Sequence, residues 1–102
     1  MVTIDFEKFT LSNGLDVILH ESHAVPLTAV NVWYHVGSKD EAPGRTGFAH
    51  LFEHLMFEGS KNHPSSYFEP LQKIGGVLNG STNNDRTNYW ENTPSNYLEL
   101  AL

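Results

Sequence analysis

Ala49-His50-Leu51-Phe52-Glu53-His54-Leu55-Met56-Phe57 decides how this chain is read. The stretch has no strand-like alternation and consists mostly of good helix formers, and Gly59 stops it; a helix starting at Phe48 is predicted. At 3.6 residues per turn, His50 and His54 stand about 40° apart around the axis and about 6 Å apart along it. Both imidazoles can reach one metal ion, and Glu53 lies beside them. Imidazole is a usual zinc ligand, and two His plus one carboxylate leave a position open for water. Glu53 need not bind the metal. It can take the water's proton and pass it to a leaving amine. The plainer alternative is a pair of hydrogen-bonded core histidines on an apolar helix, and the H-x-x-E-H pattern alone is moderately specific.

Upstream of this helix the chain reads as strands. Phe6 to Leu11 and Leu15 to His20 flank Ser12-Asn13-Gly14, a hairpin signal because Asn-Gly tolerates the positive φ such turns require. Pro26 opens a longer β stretch, Leu27 to Val36. Val30, Val32, Tyr34 and Val36 share one face of it; Asn31, Trp33 and His35 share the other. Gly37 to Gly47 reads as a loop.

Downstream, Ser65 or Ser66 caps a second helix through Phe68, Leu71 and Ile74, ended by Gly75-Gly76. Val77 to Thr82 and Arg86 to Thr93 read as strands joined at Asn83-Asn84-Asp85. Pro94 suits the first position of a last helix through Tyr97 to Leu102. The order β-β-β-α-α-β-β-α defines an α+β fold with a largely antiparallel sheet.

Composition narrows the function classes. The chain has 102 residues, 12 Asp plus Glu against 6 Lys plus Arg, and a net charge of −6 spread evenly along it. That balance lacks the basic footprint of a nucleic-acid binder. With no Cys there is no disulfide framework, thiolate metal ligand or Cys nucleophile. No apolar run reaches the ~20 residues that span a bilayer. Met1-Val2-Thr3-Ile4-Asp5-Phe6 shows no signal peptide, which makes the cytoplasm the expected compartment.

The segment Gly47 to Ser60 resembles the zinc helix of the pitrilysin (M16, inverted zincin) family, which includes insulin-degrading enzyme and the mitochondrial processing peptidase. Leu11-Ser12-Asn13-Gly14-Leu15 is similar to that family's opening hairpin, and Val36-Gly37-Ser38-Lys39-Asp40-Glu41 to its strand exit before the helix. Gly75 to Thr82 and Asp85 to Tyr89 are similar to its later strand pair. The resemblance covers nearly the whole chain. It implies the metallohydrolase fold that this family shares with S-ribosylhomocysteine lyase, with helices on one face of the sheet, here truncated. It also implies a zinc-dependent endopeptidase with Zn2+ on His50 and His54, and Glu53 as general base.

By the same resemblance, Asn79, Gly80 and Ser81 meet a peptide substrate that adds itself as a strand along residues 79–82. Gly80 stands where the family usually has Ala, and its small size is expected to suit close approach by the peptide. The third ligand is implied to be a Glu on a later helix. Glu58, Glu69, Glu91 and Glu99 do not match its position; Glu91 reads as a solvated strand position and Glu99 as a solvated helix face. Residues 1–102 thus read as the N-terminal portion of one peptidase domain, with a second homologous half-domain or subunit as partner. Bacterial relatives add the periplasm as a second expected compartment. The lyase reading is disfavoured by the absence of Cys. A non-catalytic peptide-binding or structural subunit is the remaining alternative, although His50, Glu53 and His54 are all present.

Overall fold

In the computed structural model, which describes residues 1–102, two antiparallel sheets form from five strands. β1 (Glu7–Thr10) and β2 (Asp16–Leu19) make a separate hairpin. Gly14 turns it at φ 90°, and Asn13 Oδ1 accepts from the Leu15 N–H at 3.1 Å. The second sheet contains β3 (Leu27–Tyr34), β4 (Val77–Thr82) and β5 (Thr87–Pro94), in the order β3-β5-β4. The central strand therefore comes last in sequence, and β4 is an edge. Asn83 sets the β4–β5 register: its Oδ1 accepts from the N–H groups of Asp85 and Arg86 at 3.0 and 2.9 Å, an Asx turn.

Two helices pack on one face of this sheet, α1 (Phe48–Leu55) and α2 (Phe68–Lys73). Ser66 Oγ accepts from the first N–H of α2 at 3.3 Å, so of the two candidate serines Ser66 does the capping. The Phe57 ring, just past α1, is the main seat. It lies 4.7 Å from Phe68, 5.8 Å from Tyr89 and 6.3 Å from Tyr67, centroid to centroid. Such aromatic pairs contribute roughly 0.5–1.5 kcal/mol each beyond their area. Leu71, Leu78 and Ala101 are the buried apolar side chains.

The close of the chain differs from the sequence expectation. Pro94 ends β5, paired with Leu27, instead of starting a helix; a 3₁₀ turn (Ser95–Tyr97) and the short α3 (Leu98–Ala101) follow. β4 stops pairing at Val77 opposite Asn92, so the missing Pro94 N–H breaks no hydrogen bond to β4.

Glu91 is also corrected. It is 5% exposed, not solvated, and accepts the Tyr67 hydroxyl at 2.9 Å. Thr87, Tyr89, Glu91 and Thr93 alternate onto the helix-covered face of β5, and their polarity disguises that face in the sequence. Burial pushes the Glu91 carboxyl up, against the hydrogen bond from Tyr67. Burial, with Glu91 beside it, pushes the Tyr67 hydroxyl up to about 12.

Candidate metal and peptide site

α1 starts at Gly47 (φ 91°) without a side-chain cap of its own. Glu41 supplies one from the preceding loop. Its two carboxylate oxygens accept from the Gly47 N–H at 2.6 Å and the Ala49 N–H at 2.8 Å. Negative charge there satisfies orphan donors and complements the helix dipole. Glu41 is itself placed by a 3₁₀ turn (Ser38–Asp40) that docks on the β4–β5 hairpin: Ser38 N–H donates to Asn83 O at 3.2 Å and Lys39 N–H to Asn84 O at 2.8 Å. The approach is so close that a Cβ on Gly37 would fall 2.3 Å from Asn83 O. The helix is thus tied to the same hairpin whose strand it overlies.

Along α1 the side chains divide by angle. Phe48, Leu51, Phe52 and Leu55 form a stripe that faces away from the sheet and is about half exposed. Glu53 is the buried residue of α1, at 8% exposure. It lies over β4, with its Cγ close to Gly80 and its carboxylate against Thr82. Thr82 donates a short hydrogen bond from Oγ1 to Glu53 Oε2. Tyr89 is close by; burial first, then the Glu53 charge, pushes its hydroxyl up.

His50 and His54 are exposed, and their Nε2 atoms stand 3.1 Å apart. Two nitrogens on one tetrahedral zinc, each at about 2.0–2.1 Å, lie about 3.3 Å from each other. The pair therefore converges at nearly the spacing of two ligands on one ion. No group of three or more His, Asp, Glu or Cys side chains gathers around a common point. The donors in place amount to two imidazoles, which fits part of a catalytic zinc set.

Asn79, Gly80 and Ser81, the residues expected to meet a peptide, lie on the edge strand β4. β4 pairs only with β5. Asn83 N–H donates to Arg86 O at 2.9 Å, and antiparallel alternation from there directs the backbone groups of Leu78, Gly80 and Thr82 outward. The Gly80 N–H is taken by the neighbouring Asn79 Oδ1 at 2.8 Å. Ser81 Oγ donates to Asn88 Oδ1 at 2.6 Å and accepts from Arg86 Nη1 at 2.9 Å, inside the hairpin. On the helix side Gly80 is close-packed: a Cβ there would meet Phe57 Cζ at 3.1 Å and Glu53 Cγ at 3.2 Å. Arg45, in the loop before α1, makes no ion pair.

Sequence reasoning missed Glu41 and Thr82. The signal for Glu41 was the absence of a Ser, Thr, Asp or Asn cap at Gly47. For Thr82 there was no local signal, since its partner lies 29 positions away.

This fold is found in a protease of known structure. A solved structure titled as a protease from Helicobacter pylori is similar with a TM-score of 0.90 and 35% identity, over 97% of this chain and 24% of that one. Residues 16–102 match the family described as Insulinase (Peptidase family M16), and the chain belongs to that family. Among curated relatives, the zinc protease PqqE of Helicobacter pylori is 40% identical over 103 residues, covering 94% of this chain and 22% of that protein. Human insulin-degrading enzyme is 29% identical over 100 residues, covering 96% of this chain and 10% of that enzyme. The chain thus spans a quarter or less of the length of these relatives. No helix is long and apolar enough to cross a membrane.

Proposed function

We propose that the chain forms the zinc-binding front of a metalloendopeptidase that hydrolyses peptide bonds in peptides or unfolded segments. The observation that carries this reading is the 3.1 Å approach of His50 Nε2 to His54 Nε2 on a helix whose Glu53 lies between them in sequence. His50 and His54 hold Zn2+ together with a carboxylate contributed from outside residues 1–102. Zinc, when bound, supplies Lewis acidity and brings the ionisation of water near pH 7. Glu53 receives the proton of the attacking water on Oε1, the oxygen without a side-chain hydrogen bond; Oε2 accepts from Thr82. The same carboxyl then protonates the departing amine.

The peptide binds as an added strand along residues 79–82, with Asn79, Gly80 and Ser81 in the contacting stretch. The free edge of β4 beside α1 supports this. Main-chain pairing is sequence-tolerant, with roughly 0.5–1.5 kcal/mol net per hydrogen bond. The Asn79 side chain has to release the Gly80 N–H for the strand to add.

A second homologous half-domain or subunit is the proposed partner, and the half-exposed stripe Phe48, Leu51, Phe52 and Leu55 supports a covering surface of that kind. The 102 residues alone are inactive on this reading. The cytoplasm or the periplasm is the proposed compartment. The second reading is a non-catalytic peptide-binding or structural subunit of the same family. Chelator treatment separates them: hydrolysis of a quenched-fluorescence peptide that disappears with chelator and returns with zinc supports the peptidase, and zinc-independent peptide binding without turnover supports the subunit.

A further inference from the structure

The geometry points to Thr82 as the residue that positions Glu53, a role that rests on Glu53 being the general base. Thr82 faces α1 from β4, and its Oγ1 donates the one hydrogen bond that the Glu53 carboxylate receives from any side chain. The rest of the Glu53 side chain runs close over Gly80, whose missing Cβ makes room for Glu53 Cγ. Gly80 thus admits the side chain and Thr82 fixes its end.

The direction of that bond follows from counting protons. A threonine hydroxyl has one proton to give. Thr87, 6% exposed, lies with its Oγ1 3.0 Å from Val36 O and 3.3 Å from Thr82 Oγ1. Its proton goes to the nearer Val36 carbonyl, and the Thr82 proton goes to the Glu53 carboxylate, which can only accept. A bond to a charged acceptor is roughly twice as strong as a neutral one. The Thr87–Val36 and Thr82–Glu53 bonds, their two hydroxyls 3.3 Å apart, bring together the chain just after β3, β5, β4 and α1.

The consequence is chemical as well as structural. A carboxylate free to turn about its last torsion offers either oxygen in many directions. With Oε2 accepting from Thr82, the plane of the carboxylate is fixed and the direction in which Oε1 faces is set by the sheet. Loss of the hydroxyl would leave Glu53 present but disordered at its reacting end. Misplacing a reacting group by an ångström costs about 100-fold in rate.

The test uses the complete zinc-loaded protein, a quenched-fluorescence peptide and four variants: Thr82→Val, Thr82→Ser, Glu53→Gln and the Thr82→Val/Glu53→Gln double. Thr82→Val is expected to lower kcat by about 10- to 100-fold, with KM and bound zinc within about twofold of the parent. Thr82→Ser keeps the hydroxyl and should restore kcat to within about threefold. On the Glu53→Gln background, Thr82→Val should change the residual rate by less than about twofold, because a positioning residue has nothing left to position. Three results overturn the inference while Glu53 stays the base: undiminished kcat in Thr82→Val, zinc loss in that variant, or Thr82→Ser as slow as Thr82→Val. Undiminished hydrolysis by Glu53→Gln would instead overturn the parent reading.

Discussion

Glu41, in the loop before α1, holds the first turn of that helix through both carboxylate oxygens, 2.6 Å from the Gly47 N and 2.8 Å from the Ala49 N. The contact helps place His50, the next residue after a capped N–H. A helix eight residues long has little stability of its own and depends on such anchoring.

Removing that anchor should loosen α1 before it loosens the sheet. Glu41→Ala is expected to cost about 1–2 kcal/mol, in line with the loss of a charged cap. Glu41→Gln keeps one acceptor oxygen and should cost less. Hydrogen exchange at residues 48–51 measures the effect directly; unchanged protection there in Glu41→Ala would deny the cap its role.

Gly37→Ala tests the dock between the 3₁₀ turn and the hairpin. The new Cβ would collide with backbone atoms of Asn83 and Asn84 at 2.3 to 2.6 Å, and backbone cannot step aside as a side-chain end can. The φ of −161° is extended, so the expected penalty is collision alone and not backbone strain. About 3 kcal/mol is expected from overpacking plus the two docking hydrogen bonds. Urea denaturation of the variant against the parent reads this; a difference below about 0.5 kcal/mol would contradict it.

The Glu91–Tyr67 pair predicts a pH signature. The folded-state pKa of Glu91 is raised, so the folded state holds its proton more firmly than the unfolded state does. Its contribution is fully present below the unfolded carboxyl pKa and fades as pH rises through the folded value. Glu91→Gln, neutral at every pH, should therefore gain stability relative to the parent as pH climbs from about 4 toward 7. Tyr67, raised to about 12, acts at the other end: its neutral form favours the fold below about 10, and this is lost as pH rises through about 12. Denaturation series across pH, with absorbance at the phenolate band, check both. A pH-independent difference between Glu91→Gln and the parent would refute the first claim.

Much of this layout is legible in one dimension. β4 was read from sequence with its observed limits, Val77 and Thr82, because Gly75-Gly76 and Asn83 punctuate both ends. The face of β3 that carries Val30, Val32 and Tyr34 was equally plain, and Tyr34 meets Tyr89 edge-on across the strands. The His50–His54 pair follows from helical spacing alone. What stayed hidden depends on partners far along the chain. Glu91 looks solvated until Tyr67 and Leu78 are brought over it, and Glu41 is an ordinary loop acid until α1 is found without a cap. The packing of Phe57 and Glu53 against Gly80 has no local signal in the sequence either. Periodicity reports which face is covered, not what covers it.

The isolated 102 residues should bind zinc weakly and hydrolyse nothing. Two imidazoles are one short of the three protein ligands that catalytic zinc sites use. Calorimetric titration with zinc, repeated on His54→Ala, tests the pair. Tight stoichiometric binding with turnover would call for a third ligand among these residues, and unchanged binding in His54→Ala would remove His54 from the site.

The role of Glu53 is tested most directly by hydrolysis and zinc content measured together in the complete Glu53→Gln protein. The amide nearly matches the carboxylate in shape and can still accept from Thr82, but it takes no proton from water at neutral pH. Loss of a general base costs about 10²–10⁴-fold in rate, and bound zinc should stay at the parent level. Zinc retained with peptide hydrolysis reduced by that factor is the predicted result; zinc retained with more than about half the parent rate would contradict the account.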